Sequence, residues 1–152
     1  MASFRAALSR LAMLNVTGIH KNYDLDELPN SLGRAQLPAL LVLPIELERD
    51  RLFQPREEGL GTAAFSGAAK SINYRVTHLL LAAPTEAGLG LRSCLPRLIE
   101  LIDSYTAAIA ADVTLADTLL VPARVSVEPG SFTYGDRDFY GCAFRHAWLL
   151  TT

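Results

Sequence analysis

The chain has 152 residues, half of them hydrophobic and a fifth charged, with a net charge of −2. That length is one domain's worth, and the composition excludes a disordered or highly charged tail. The charge balance excludes a surface built throughout to coat nucleic acid. Cys94 and Cys142 are the only cysteines, too few for a disulfide scaffold or a closed cysteine zinc site, and they fit a reducing compartment. No run approaches the ~18 apolar residues of a membrane span. Mean hydropathy is +0.21, high for a small soluble monomer, so the surplus apolar surface calls for a subunit interface.

Residues 1–23 contain no acidic side chain. With Ser3, Arg5, Ser9 and Arg10 they are similar in composition to a mitochondrial transit peptide. The stronger pattern is helical: Phe4, Ala7, Leu8, Leu11 and Leu14 share one face, Ser3 supplies an N-cap and Gly18 a stop. Residues 21–33 read as a polar loop. Residues 37–44 are an apolar run with proline near both ends, the pattern of a strand buried on both faces.

Residues 46–70 change character. Glu46, Glu48, Arg49, Asp50, Arg51, Arg56, Glu57 and Glu58 are charged with mixed sign; Gly59, Gly61, Ala63, Ala64, Ser66, Gly67, Ala68 and Ala69 are small. Neither half has a core face, so the segment reads as a long exposed arm between two strands. Glu46 and Glu48 share one face at a strand end, where charge discourages edge pairing.

Alternation at Ile72, Tyr74, Val76, His78 and Leu80 predicts a strand ending at Pro84. Leu91, Leu95, Leu98, Ile102, Tyr105 and Ile109 predict a second helix over 91–111. Pro96 favours a start capped at Ser93, which would leave the proline in the first turn. A turn over 112–117 and a strand near 124–128 follow. Pro129, Gly130, Gly135 and Asp136 read as the next turn. The last strand places Tyr140, Cys142, Phe144, His146, Trp148 and Leu150 on one face. The expected architecture is a single α+β domain over 1–152. One mixed or antiparallel sheet of about four strands carries two main helices, and the arm lies between the first two strands.

Motifs for chemistry are weak. Residues 64–67 lack the first glycine of a nucleophile elbow, and residues 61–70 have the wrong spacing for a phosphate loop. Gly88 and Gly90 form a lone Gly-x-Gly, too little for a dinucleotide loop. His78, His146 and Cys142 would approach each other if their strands were neighbours, which supports an alternative as a small metal-dependent enzyme. Asp136 and Asp138 read as a turn cluster. No cofactor is implied, and the expectation is a protein that is not an enzyme.

In ordered features the chain resembles the tail terminator family of long-tailed bacteriophages. An amino-terminal helix carries Phe4, Leu8 and Leu11. A Pro38–Ala39 strand and a charged arm follow, then the strand through Tyr74, Val76 and Leu80. A long helix with Leu98, Ile99 and Ile102 comes next. The chain closes on Val125 and Val127, then Tyr134, Gly135 and Asp136 leading into Phe139, Tyr140 and Gly141. The resemblance implies a virion protein of the tail or neck, assembled in the host cytoplasm. It would form a hexameric ring on the head-proximal end of the tail tube, stop tube growth and dock the head-side connector. DNA would pass through its lumen without specific binding, and no membrane is involved. A head–tail joining or head-completion protein shares this layout; a cellular ligand-binding module is a third alternative. Expected contacts with subunits or partners lie in the arm, at Glu48, Arg49, Arg51, Phe53, Arg56, Glu57, Glu58, Phe65 and Lys70. Others lie at the late turn, at Phe132, Tyr134, Asp136 and Arg137.

Overall fold

The computed structural model describes residues 3–44, 59–65, 70–87 and 90–151. In chain order the elements are α1 (Phe4–Ala12), β1 (Lys21–Tyr23), β2 (Ala39–Leu43), β3 (Gly59–Phe65), β4 (Lys70–Pro84), α2 (Gly90–Ala111), β5 (Arg124–Tyr134) and β6 (Arg137–Thr151). The architecture is α+β, with two helices on one mixed sheet. Five strands run in the order β1-β2-β4-β6-β5, and β3 pairs with β4 beside that path. Among the described residues no helix is long and apolar enough to cross a membrane.

Period-two alternation divides the core. On β4 and β6, Leu79, Leu81, Phe139 and Ala143 face a layer formed by Leu28, Leu32 and Leu37 of the loop between β1 and β2. Val76, Leu80, Cys142, Phe144, Trp148 and Leu150 face the helices. All five residues of β2 are buried because its two faces serve both layers, which explains its unbroken apolar run. α1 buries Ala7, Leu8 and Leu11, and Ser3 caps it by accepting from the Ala6 N–H. Phe4 stacks on Tyr74, ring centroids 3.6 Å apart.

Four expectations change. The polar segment at 21–33 contains β1, which pairs parallel with β2 and buries Tyr23. Asp24, Asp26 and Glu27 made the segment read as a loop; while Asp26 and Glu27 are exposed, the three bond Ser9, Arg5 and Lys21 around that strand. Within the expected arm, Gly59–Phe65 is a strand antiparallel to β4, paired from Gly59↔Arg75 to Phe65↔Lys70 with a register shift between Leu60 and Thr62. Small residues lack a core face, but the backbone ladder needs none. Residues 45–58 lie outside the described residues. α2 starts at Gly90, not at Ser93, so Pro96 stands inside the helix. Its absent N–H leaves only the carbonyl of exposed Arg92 unpaired, and water can reach it. Pro129 and Gly130 belong to β5, and the turn is confined to Gly135 and Asp136.

That turn is anchored. Tyr134 Oη donates to the Pro29 carbonyl, and Arg137 bonds the Leu32 carbonyl at 3.2 Å and Glu86 at 2.6 Å. Gly135 has φ +64°, and an added Cβ would sit 2.8 Å from the Asn30 carbonyl oxygen. Gly135→Ala is expected to cost about 1–3 kcal/mol, measured as a lower urea midpoint with unchanged slope.

Candidate functional site

Two polar assemblies stand out against the apolar layers. The first is buried under the helices. Antiparallel pairing of β4 with β6 brings His78 opposite Phe144 and His146 opposite Val76, so the two histidines lie one diagonal apart. Tyr105 of α2 stacks on Phe144, with centroids 3.6 Å apart, and its hydroxyl reaches both rings: 2.8 Å to His78 Nδ1 and 2.7 Å to His146 Nε2. His78 Nε2 lies 2.8 Å from Asn22 Oδ1, and Trp148 Nε1 donates to His146 Nδ1 at 3.1 Å.

Only one proton arrangement satisfies every bond. Asn22 Nδ2 donates to the Leu11 and Leu14 carbonyls, which leaves Oδ1 as an acceptor. His78 Nε2 therefore carries a hydrogen, and neutral Nδ1 accepts from Tyr105. Trp148 can only donate, so His146 Nδ1 accepts and its Nε2–H donates to the Tyr105 oxygen. All hydrogens point one way, from Trp148 through His146, Tyr105 and His78 to Asn22 and the Leu11 and Leu14 carbonyls. Among the described residues no buried side-chain polar atom lacks a partner.

The electrostatics agree with neutral rings. Burial, reinforced by the neighbouring His146, holds His78 well below the ordinary histidine range. Burial alone brings His146 down to about 3. Burial, with Cys142 nearby, raises the Tyr105 phenol well above its usual value, and burial pushes the Cys142 thiol up to about 12. His78 and His146 do come together on neighbouring strands as the sequence allowed, whereas Cys142 stands opposite Leu80, four residues from His146 along β6. Their donor set is nevertheless poor for a metal: both nitrogens of each ring are already bonded, and the thiol is held protonated. Among the described residues no group of three His, Cys, Asp or Glu side chains is placed to hold a metal.

The second assembly is on the opposite face, beyond the edge of the loop layer. Arg75 and Arg124 both stand opposite Ala147, and Arg145 stands between Thr77 and Ser126 in the next row. With Glu128 they line a concavity of about 390 Å³. Arg145 holds Glu128 through Nε and reaches Thr77 Oγ1 at 3.2 Å. The described lining carries three guanidiniums and one carboxylate over a floor of small side chains. Guanidiniums gathered in this way can bond carboxylate or phosphate oxygens, as Arg145 does with Glu128. Sequence reading did not single it out, because the three arginines are far apart in the chain and converge only through register.

An apolar surface lies on the helix side of the sheet. Leu98, Leu101 and Tyr105 of α2 face the sheet, and Arg97 on one flank reaches the Gly18 carbonyl beside β1. Helical spacing puts Leu91, Leu95 and Ile99 on the other flank of the helix. They are 46%, 44% and 47% exposed, and Val127 on β5 is 44% exposed.

Of the contact residues read from the sequence, Glu48, Arg49, Arg51, Phe53, Arg56, Glu57 and Glu58 lie outside the described residues. Phe65 and Lys70 pair with each other where β3 meets β4. Phe132 and Tyr134 are buried in the loop-side core, and Arg137 is bonded to Leu32 and Glu86. At this hairpin Asp136 alone of the four is exposed.

No family model matches the chain, and no curated protein matches it significantly.

Proposed function

We propose that the chain is a structural assembly protein that closes into a ring on the head-proximal end of a phage tail tube and terminates its growth. The observation that carries this reading is the exposed apolar flank of α2 at Leu91, Leu95 and Ile99. A small domain does not leave such a stripe in water without cost, about 25 cal/mol per Å² of apolar area, and a neighbouring subunit removes it. The ordered resemblance to tail terminators supports this kind of assembly. In such a ring each subunit uses two different patches, and the rotation closes. One ring face matches the tube protein's pairing surface; the other does not repeat it and meets the head-side connector, so polymerisation stops. DNA passes through the lumen, where many phosphate contacts would hinder its passage.

The test is electron microscopy of the protein mixed with short tail tubes. A six-fold ring at the head-proximal end is the expected image. Density on the portal side would instead make it a joining protein, and no association with any phage structure would end the reading. Leu95→Glu with Ile99→Glu is expected to leave the circular dichroism unchanged, because both side chains are already half in water, and to abolish the ring.

A further inference from the structure

Strand β5 is an edge of the sheet: among the described residues β6 alone pairs with it. Its first five residues are Arg124, Val125, Ser126, Val127 and Glu128, and all but the partly buried Val125 are exposed. Ala123 before them gives its N–H to the Val113 carbonyl, and Pro129 after them has none to give. The stretch between can take up a further strand, and its length is an ordinary one. Arg124, Ser126 and Glu128 line the concave face, while Val125 packs toward the helices and Val127 shares its side.

Read backwards, those five side chains are complementary to themselves. We propose that β5 of one copy pairs antiparallel with β5 of a second copy, on a twofold axis at Ser126. Arg124 then stands opposite the partner's Glu128, and Val125 opposite the partner's Val127, with side chains about 4.5–5.5 Å apart at Cβ. Val127, 44% exposed in the single chain, is covered by this contact. Among the described residues no carboxylate pairs with Arg124. Arg145 bonds Glu128 through Oε2, and the Glu128 side chain is still 48% exposed. A carboxylate accepts from two donors, so Oε1 takes the incoming guanidinium and Arg145 keeps the bonds it has.

Other registers lose the match. Parallel addition sets Arg124 against Arg124 and Glu128 against Glu128, and like charges directly opposite repel. An antiparallel slip of two residues in either direction leaves no Arg124 opposite a Glu128. Charges and a proline on an edge strand ordinarily discourage pairing, and here they discourage every register but one. A twofold contact is not the head-to-tail contact that repeats around a ring. The inference therefore goes beyond the ring reading and does not rest on it. It assigns to the chain in solution a dimer in which one sheet runs through both copies.

Two measurements on the full chain test it. Sedimentation over a wide concentration range should show a dimer. Arg124→Glu sets carboxylate against carboxylate at both ends of the contact and should weaken the dimer by roughly tenfold or more, with native circular dichroism retained. Glu128→Arg does the same with guanidiniums. Mixing the two variants should restore pairing, since both contacts then join opposite charges. Ser126→Cys should give a disulfide-linked dimer in oxidised glutathione, because its two thiols face each other on the axis. Ser131→Cys, also exposed on β5, should not, because the twofold places its copies ten residue steps apart, about 34 Å. A chain that stays monomeric at its highest soluble concentration overturns the proposal. So do a dimer indifferent to Arg124→Glu, variants that do not rescue each other, and cross-linking that fails at residue 126 or is equal at residue 131. A dimer lost only on Leu95→Glu with Ile99→Glu would place the contact on α2 and overturn it as well.

Discussion

Gly141→Ala is expected to cost more than about 3 kcal/mol and to leave little native protein at room temperature if the chain has ordinary stability. An ideal Cβ at Gly141 would lie 1.9 Å from the Leu80 carbonyl oxygen, 2.9 Å from its carbon and 3.2 Å from the Leu81 Cα. All three are backbone atoms of β4, so no rotamer change relieves the overlap. The site sits where the β4–β6 register shifts between Leu81 and Ala83. Moving β4 there displaces Leu79 and Leu81 on one face and Leu80 on the other. Gly130, its partner on β5, is the control: a Cβ there meets only the Phe132 ring tip at 3.9 Å. Gly130→Ala should change stability by less than about 1 kcal/mol. Urea denaturation of the two variants gives the comparison, and equal effects would contradict the close approach.

The second large effect comes from Tyr105. Tyr105→Phe keeps the stack on Phe144 but strands the His146 Nε2–H and the His78 Nδ1 lone pair in a dry core. Two unpaired buried groups cost about 2–5 kcal/mol together. Acid acts on the same cluster with a definite sign. The folded-state affinities of both histidines for a proton are depressed, whereas the unfolded chain binds protons near pH 6.5. The stabilisation is therefore complete above about pH 6.5 and lost as pH falls toward about 3. Where both histidines are protonated only in the unfolded chain, the slope approaches about 2.7 kcal/mol per pH unit. Stability measured by urea from pH 7 to pH 4 should show this decline. A chain equally stable at both ends would exclude two neutral buried histidines.

Much of the framework was legible because period and burial coincide. α1 follows from Phe4, Ala7, Leu8 and Leu11 with Ser3 as cap, and β6 from the alternation of Tyr140 to Leu150. β1 was not legible: three residues carry too little periodicity, and it exists because the Leu40 strand offers it an edge. β3 was hidden for a different reason, since a hairpin held by backbone bonds places no demand on Gly59, Gly61 or Ala63 to be apolar. The neighbourhood of His78 and His146 could be anticipated as a conditional on strand pairing. Its third member, Tyr105, read as one more helical core position, and only the docking of α2 reveals its hydroxyl. The arginine cluster depends wholly on register, as one residue of slippage would carry Arg75 or Arg124 to the other face.

The position of β6 has a consequence for the order in which the molecule can form. It is the last strand described, yet it lies between β4 and β5, and its pairing with β4 reaches from Ser71↔Thr151 to Pro84↔Phe139. Before β6 emerges from the ribosome, β4 lacks its longest partner and both helices lack Phe144, Trp148 and Leu150 to pack on. Nearly all the chain must therefore wait, with Leu79, Leu80 and Leu81 uncovered, for a strand made after everything it joins. Contacts this distant in sequence close slowly. Nascent chains halted at residue 136 should be readily cut by protease in that run, and chains released at full length should become resistant in one step.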